Sequence, residues 1–393
     1  MEPDCRVKTM RILIFDTHYQ ESLRRVYEHD PHLPQRSARE QLQTIYETGF
    51  GRADSLPLNL TKLGHQAHQF IINAAPIQIA WANENGLEIQ THRSMAVRVK
   101  QRFARGVNQL LSKPTTRGMN VPQWELEVLT AQAKSFRPDV IFICDVLYLP
   151  AHFHQTLKNY ARLVVGEMAY PLPPGLDLSP FDLIISAAPH YVDRLRKAGA
   201  KSELLRLGFE ETIVNRIGHE AKDCDVTFIG SVGKDHQQRL ELLEELCRQV
   251  PLSVWGAGAE SLSPGSPLRG RVNPPLWGYD MYRQLQRSRI ALNVHIDMAE
   301  QYAANMRLYE ATGVGTMLLT DWKTNLHEIF EIGKEVAAYR STRECVELVN
   351  YYLSNDKERE AIARAGQQRT LSEHSYYHRM QELTEILERY LRN

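Results

Sequence analysis

The sequence predicts an α/β protein made of two Rossmann-like domains. The chain has 393 residues, more than one hydrophobic core usually organises. Short apolar runs alternate with helical stretches, and this alternation starts again after a charged connector at 210–223. Strands that are apolar throughout and separated by helices are typical of parallel sheets covered on both faces. Two such sheets are therefore expected, one in each half of the chain.

The N-terminal domain is expected at 10–210. Its predicted strands are short apolar runs, several of which end in an acidic or polar residue. They lie at 11–16, 69–72, 162–166, 181–186 and 202–207, and within 136–145, which also contains a helix exit and a proline turn. Between 84 and 124 the pattern is polar and helical with loop signals, which predicts a helical insertion in this domain.

The C-terminal domain is expected at 224–375, where the same alternation repeats. Its strands are predicted at 225–230, 252–256, 290–294 and 316–320, with a short one near 336–339. Residues 379–391 form an amphipathic helical pattern that no strand follows. We expect the segment 376–393 to be a C-terminal helix that packs back on the N-terminal domain.

Charge and composition exclude several classes of function. The 47 basic and 47 acidic residues leave no net charge to hold a nucleic acid, so no nucleic-acid partner is expected. The five cysteines lack the C-x-x-C spacing of zinc or redox sites. No run approaches the roughly 20 apolar residues that span a bilayer, and the first ten residues lack the apolar run of a signal peptide. A cytoplasmic protein is expected, which would dock peripherally if its acceptor were attached to a membrane.

The segment from 293 to 313 carries the clearest candidate binding site. A strand ends in polar residues that include His295, and a helix is expected to begin at Asn305. With Asn305 as N-cap, the helix N-terminus would be suited to a phosphate, and Arg307 would add a charge-assisted hydrogen bond. Glu310 lies one turn further on the same face, where its carboxylate could accept both ribose hydroxyls. The alternative is that Arg307 and Glu310 form only a surface ion pair.

A glycine-containing turn after the predicted strand at 225–230 is the second candidate. Its backbone could approach a ligand closely, with basic side chains available for a diphosphate. The G-x-x-x-x-G-K-[ST] spacing of a phosphate-binding loop is absent, and an ordinary strand-to-helix turn is the alternative. Two aromatic residues after later strands could stack on a base, although such residues more often belong to the core. The candidates in these turns are Gly230, Ser231, Lys234, Arg239, Trp255, Gly256 and Tyr279.

These motifs together resemble the CgeB-like branch of glycosyltransferases with the two-domain GT-B architecture. The matching stretches cover most of the C-terminal half: 226–231, 254–256, 290–293, Asn-x-Arg-x-Tyr-Glu at 305–310, 315–321, 335–339, Ala-x-Ala-Gly at 363–366 and Glu-His-Ser at 373–375. The resemblance implies two Rossmann-like domains facing across a cleft, with the C-terminal helix crossing back to the first domain. It also implies that Glu310 holds the ribose, that Asn305 and Arg307 hold the diphosphate, and that the Gly230 loop faces the cleft.

One position departs from a pattern of related enzymes. Many retaining GT-B enzymes carry two glutamates in an E-x7-E arrangement, whereas here Tyr302 stands eight positions before Glu310. Retaining chemistry therefore does not carry over from the resemblance. An inverting enzyme needs a base on the acceptor hydroxyl.

The N-terminal domain is expected to bind the acceptor. His18, Asp16 and Glu167 lie at the carboxyl ends of predicted parallel strands, where such folds place ligands, and they are the candidate catalytic residues. Each of them could instead be a turn former or an N-cap, which is the commoner role of a polar residue at a strand end.

The predicted function is transfer of a hexose from a nucleotide sugar, with UDP or GDP as its nucleotide, to a saccharide or surface-polymer acceptor. The nucleotide sugar is a substrate, so no cofactor is expected, and no metal is expected because no convincing D-x-D loop is present. Two alternatives remain open: a nucleotide-sugar epimerase of the same fold, and a non-catalytic spore- or surface-associated binding protein. A NAD-dependent dehydrogenase is disfavoured because no G-x-G-x-x-G follows the first strand.

Overall fold

The computed structural model describes residues 9–90, 121–233 and 237–392. The chain divides into two compact units. The first unit comprises Met1–Leu205 and Met380–Asn393, and the second comprises Arg206–Arg379. Most of the helical insertion predicted at 84–124 lies outside the described residues.

The first unit contains a six-stranded parallel sheet with the order β2-β1-β3-β4-β5-β6. Its strands are β1 Arg11–Asp16, β2 Gln66–Ile71, β3 Val140–Ile143, β4 Leu163–Glu167, β5 Leu183–Ser186 and β6 Ser202–Leu204. Its helices are α1 Gln20–His29, α2 Ala38–Tyr46, α3 Ser55–Lys62, α4 Ala75–Glu84, α5 Gln123–Phe136, α6 Ala151–Leu157 and α7 Pro189–Lys197. The central strands are buried along their whole length, because helices cover both faces of the sheet.

The second unit contains a second six-stranded parallel sheet, with the order β12-β11-β10-β7-β8-β9. Its strands are β7 Cys224–Ile229, β8 Leu252–Trp255, β9 Val272–Asn273, β10 Ser288–Asn293, β11 Met317–Asp321 and β12 Ala337–Tyr339. Its helices are α8 Thr212–Ile217, α9 Gln237–Gln249, α10 Gly278–Arg287, α11 Arg307–Gly313, α12 Thr342–Ser354 and α13 Asp356–Glu373. The last helix, α14 Tyr376–Arg392, begins in the second unit and continues into residues of the first.

The predicted α/β fold with two parallel sheets is confirmed. Most predicted strands are present within a few residues of their expected bounds. The last strand of the first unit is shorter than expected: it ends at Leu204 rather than 207, and Leu205 then donates its N–H to the carbonyl of Ser186. Residues 272–273 form an additional two-residue strand, β9, which the sequence did not reveal because so short an edge strand has no periodicity.

Gly366 of the Ala-x-Ala-Gly motif and His374 of the Glu-His-Ser motif have structural roles within the second unit. Gly366 lies on α13, where a Cβ atom would collide with the carbonyl oxygen of Glu335. His374 is buried; its Nδ1 accepts a hydrogen bond from Arg379 and its Nε2 donates to the carbonyl of Ile329. Burial lowers the pKa of His374 to about 4, which keeps the ring neutral in this network.

The later part of α14 is held to the first unit by polar contacts. The ring Nε2 of His65 lies 3.1 Å from the hydroxyl of Thr384, and the carbonyl of Leu391 accepts a hydrogen bond from Arg162. Glu203, at the edge strand β6, pairs with Arg389 at 3.3 Å. Among the described helices, none combines the length and the apolar character that crossing a membrane requires.

Replacement of Gly366 tests the contact between α13 and the chain before β12. A glycine-to-alanine change inside a helix usually stabilises a protein by about 0.5–1 kcal/mol. Here we expect Gly366→Ala to lower the free energy of unfolding by about 1–3 kcal/mol, because the added methyl group meets backbone rather than a movable side chain. Urea denaturation measures the change. Gln368→Ala, at an exposed site of the same helix, is the control and should change stability by less than about 0.5 kcal/mol.

Candidate active site

The strand order of the second unit creates a crevice at the carboxyl edge of its sheet. The chain order reverses between β7 and β10, which are adjacent parallel strands whose connections leave in opposite directions. Open parallel sheets bind ligands outside the carboxyl ends of their strands at this type of switch point. The loops that follow Ile229 and Asn293 leave the sheet here.

A buried guanidinium joins these two loops. Arg239, on α9, donates from Nη1 to the carbonyl of Ser231 at 3.2 Å and from Nη2 to the carbonyl of Val294 at 2.9 Å. Burial lowers the pKa of this guanidinium, while the charges of Asp321 and Asp297 oppose that shift. Arg239 was predicted to neutralise a diphosphate. The structure gives it a second role, which is to fix the spacing of the two strand ends.

Arg307 and Glu310 form an ion pair that is buried rather than exposed. Their side chains are 15% and 8% exposed, and Nη1 of Arg307 lies 2.8 Å from Oε2 of Glu310. Arg307 also donates from Nη2 to the carbonyl of Ile229, which brings α11 to the end of β7. Burial raises the pKa of Glu310, and Arg307 opposes that rise. The alternative of a surface ion pair is therefore wrong.

The prediction that Asn305 caps the following helix is wrong. Helix α11 begins at Arg307 with Met306 at the N-cap position, and no side chain caps it. The amide of Asn305 instead pairs reciprocally with that of Asn293, at 2.8 and 3.3 Å. This tertiary amide pair replaces the local cap because the end of β10 presents a matching donor and acceptor. Asn305 therefore anchors its segment to the strand end instead of capping the helix.

His295 is held by a carboxylate at the end of the neighbouring strand. Its Nδ1 lies 2.7 Å from Oδ1 of Asp321, and its backbone N–H donates to the same oxygen at 3.1 Å. Asp321 also pairs with Lys323 through Oδ2 at 3.1 Å. Burial alone would raise the pKa of Asp321, but the hydrogen bonds and charge of His295, with Lys323, bring it down to about 2. Asp321 is therefore ionised at any physiological pH.

We refer to Arg239, His295, Arg307, Glu310 and Asp321 as the switch-point cluster. The cluster brings together four of the predicted binding residues from three separate segments of the sequence. The fifth member, Asp321, follows the strand predicted at 316–320 and was not among the candidate binding residues.

The glycines of the neighbouring turns are explained by contact between backbones. A Cβ atom at Gly256 would collide with the carbonyl oxygen of Gly230, and one at Gly258 would lie 2.6 Å from the nitrogen of Gly233. Backbone hydrogen bonds of 2.9 Å from Gly230 to Trp255 and from Val232 to Ala257 join the two turns. Gly230, Ser231, Trp255 and Gly256 thus lie together beside the cluster.

Tyr279, a further predicted residue, has its hydroxyl engaged by another side chain. Tyr279 lies on α10 and accepts a hydrogen bond from Arg216 at 2.6 Å, so its hydroxyl is engaged on the surface of the second unit. Lys234 lies outside the described residues, as do its two successors.

The first unit places acidic residues at the carboxyl edge of its own sheet. Asp16 and Glu167 end β1 and β4, and both face Arg52. Arg52 pairs with Glu167 at 2.7 Å and lies 3.8 Å from Asp16, whose carboxylate also accepts hydrogen bonds from Gln69 and from the N–H of Thr17. Arg52 therefore lies within ion-pair distance of both predicted catalytic acids.

His18 occupies a different environment, although it follows Asp16 closely. Its backbone is fixed by two hydrogen bonds to the amide of Asn73, at 2.7 and 3.0 Å, and its ring meets the edge of Phe50 at 5.8 Å between centroids. Burial lowers the pKa of His18, an effect that Asp16 opposes and Arg52 reinforces. A neutral imidazole with an available lone pair has the chemistry of a general base.

Arg52 and Asp321 were missed from the sequence because their partners are remote along the chain. Arg52 lies 115 positions before Glu167, and only the Gly-Phe-Gly-Arg turn at 49–52 marks it. Asp321 could have been found as another polar residue at a strand end. Within residues 9–90, 121–233 and 237–392, no group of three or more histidine, cysteine or acidic side chains is arranged to hold a metal ion.

The sequence matches a family model described as Glycosyl transferase-like over residues 237–385. This range covers most of the second unit, including every residue of the switch-point cluster. A search of curated proteins found no match to the sequence.

Solved structures with the GT-B fold of glycosyltransferases resemble the whole chain. A glycosyltransferase from Rickettsia africae has a TM-score of 0.60 at 10% identity and covers 98% of this chain and 100% of its own. Anabaena HepE in complex with UDP-glucose has a TM-score of 0.56 at 11% identity and covers 96% and 99%. Sucrose-phosphate synthase from Thermosynechococcus elongatus has a TM-score of 0.53 at 9% identity, with 96% and 98% covered. The fold is thus GT-B, and together with the family match it supports a transferase enzyme.

Removal of Arg52 tests the charge balance at the carboxyl edge of the first sheet. Arg52→Ala leaves the carboxylates of Asp16 and Glu167 without their shared cation. We expect the free energy of unfolding at neutral pH to fall by about 2–4 kcal/mol, since the acids are largely buried. Urea denaturation at neutral pH measures the change.

The control for this variant is Arg364→Ala. Arg364 belongs to an ion pair whose side chains are 71% and 60% exposed. Its removal should cost less than about 1 kcal/mol at any pH. Equal losses in the two variants would contradict the interpretation of Arg52 as a buried counterion.

Proposed function

We propose that this GT-B protein transfers a hexose from a nucleotide sugar, with UDP or GDP as the nucleotide, to a saccharide or surface-polymer acceptor. The observation that carries the proposal is the switch-point cluster. It gathers two buried guanidinium groups and a buried carboxylate around the crevice where β7 and β10 separate. The match of the surrounding unit to a glycosyltransferase-like family model supports the same assignment.

The donor would bind to the second unit through charge and hydrogen bonding. Arg307 and Arg239 would place guanidinium groups beside the diphosphate, with Lys234 as a further predicted contact. Gly230 and Ser231 would let the backbone approach the phosphates. Glu310 would accept hydrogen bonds from the ribose hydroxyls, for which Arg307 holds its carboxylate in place. Trp255 or Tyr279 would pack against the base.

Stabilisation of the leaving diphosphate is the main electrostatic task of the reaction. Fixed cations in a site from which water is excluded can perform this task without reorganisation. Arg239 and Arg307 are fixed in this sense, because each donates to a backbone carbonyl of a strand end. We therefore include metal independence in the proposal. The placement in the CgeB-like branch also remains a prediction.

The acceptor would bind to the first unit, with His18 as the base that removes the proton of the attacking hydroxyl. His18 is favoured over Asp16 and Glu167 because those carboxylates already face Arg52. Its lowered pKa keeps the imidazole neutral near pH 7, as a base requires.

Binding of nucleoside diphosphates to the wild type and to Glu310→Gln tests the donor site. Glutamine preserves the shape of the side chain and removes its charge. If Glu310 accepts the ribose hydroxyls, affinity for the preferred diphosphate should fall by about 1.5–3 kcal/mol, or roughly 10- to 150-fold. Isothermal titration calorimetry with UDP, GDP, CMP and dTDP measures this change.

The matched control is Glu245→Ala, which removes the acid of another Arg–Glu pair three residues apart on a helix of the same unit. That pair is 52% and 44% exposed, so nucleotide affinity should not change. Equal affinity in the wild type and Glu310→Gln would remove Glu310 from the ribose site. No binding of any nucleotide would contradict the donor site itself and favour a non-catalytic protein.

Product analysis then separates a transferase from an epimerase. Incubation with the bound nucleotide sugar should release free nucleoside diphosphate only when a saccharide acceptor is present. The rate should persist in excess EDTA. A changed sugar nucleotide formed without an acceptor would instead identify an epimerase.

A further inference from the structure

In the ring of His295, one nitrogen has a hydrogen-bond partner among the described residues and the other has none. Nδ1 is bound to the carboxylate of Asp321. The side chain is 0% exposed, yet Nε2 has no hydrogen-bond partner among the described residues. A buried polar atom without a partner is costly unless a ligand or another group completes its hydrogen bonding. His295 follows Val294, whose carbonyl Arg239 holds at the switch point.

The charges around this histidine nearly balance. Arg239 approaches from α9 and Arg307 from α11, while Lys323 follows β11. Asp321 ends β11, Asp297 lies in the loop of His295, and Glu310 pairs with Arg307.

Tyr339, at the end of β12, and Cys345, on α12, are also near Asp321. Burial raises the pKa of both side chains, so they are neutral. Among the described groups, three cations therefore face three carboxylates, which leaves little net charge for a diphosphate.

We propose that His295 takes up a proton when a nucleoside diphosphate binds and donates a hydrogen bond from Nε2 to a phosphate oxygen. This inference rests on the proposed function and gives His295 a specific role in the same donor site. The proton comes from solvent, is held at Nε2 while the diphosphate is bound, and returns to solvent when the diphosphate leaves. The imidazolium would then also stabilise the diphosphate as a leaving group.

The hydrogen bond to Asp321 explains why protonation must accompany binding. In the neutral ring, Nδ1 carries the proton that Asp321 accepts, so Nε2 presents a lone pair. A lone pair repels a phosphate oxygen, whereas an imidazolium donates from both nitrogens. Asp321 remains ionised, and the incoming phosphates add further negative charge beside the ring. A solely structural role, in which the pair only fixes the loop, predicts no uptake of protons.

Proton uptake can be measured by calorimetry in buffers of different ionisation enthalpy. UDP and GDP are titrated into the full-length protein at about pH 7.5. We expect uptake approaching one proton per bound diphosphate. Affinity should also weaken by up to about tenfold per pH unit between about pH 7 and 9, where phosphate groups are already fully ionised.

Two variants and a control test whether His295 is the group that takes up the proton. His295→Gln places a neutral N–H donor near the position of Nε2, so binding should remain measurable, while the proton uptake and the pH dependence should disappear. Asp321→Asn should reduce the proton uptake because the carboxylate no longer favours the imidazolium. His219→Gln, at an exposed site of the same unit, should behave as the wild type does. Thermal unfolding of each variant verifies that it is folded.

The outcomes distinguish this proposal from the proposed function. Binding of UDP or GDP without proton uptake would overturn the role of His295 and leave the donor site intact. Proton uptake that persists in His295→Gln would assign it to another group and also overturn the proposal. Failure of both nucleotides to bind would contradict the donor site, and this role of His295 with it.

Discussion

The buried guanidinium of Arg239 is the interaction on which the candidate donor site depends. It spans the gap between β7 and β10 and donates to one carbonyl on each side. These two hydrogen bonds fix the spacing of the loops that follow the two neighbouring parallel strands. A buried cation in turn requires nearby negative charge. Asp321 and Asp297 supply it, and Asp321 also orients His295.

Both units bring charged side chains together at the carboxyl ends of their strands, but the two arrangements differ in which charge the strand ends carry. In the first unit, two carboxylates project from the strand ends and one arginine, Arg52, faces both of them. In the second unit, arginines approach the strand ends and carboxylates balance them. A site with fixed cations suits a diphosphate, whereas a site with a neutral imidazole beside a closed ion-pair network suits proton transfer from a hydroxyl. This difference supports assigning the donor to the second unit and the acceptor to the first.

The fold could be predicted largely from the sequence because strand burial and helix periodicity are local signals. The positions of Gly230, His295 and Glu310 followed from the same signals, since each lies at or just after a strand end or on the first turn of a helix. The cap at Asn305 was wrong because a tertiary amide pair with Asn293 outcompeted a local hydrogen bond. Arg52 and the pairing of His295 with Asp321 depend on contacts between distant segments, which local patterns do not encode.

A crystal structure of the protein with the nucleoside diphosphate that binds it would locate the donor site. We expect density for the diphosphate at the carboxyl edge of the second sheet, between the loops after β7 and β10. A phosphate oxygen should lie within hydrogen-bond distance of Nε2 of His295, and the ribose should lie beside Glu310. Density for the nucleotide at the sheet of the first unit, or away from the switch-point cluster, would contradict the account.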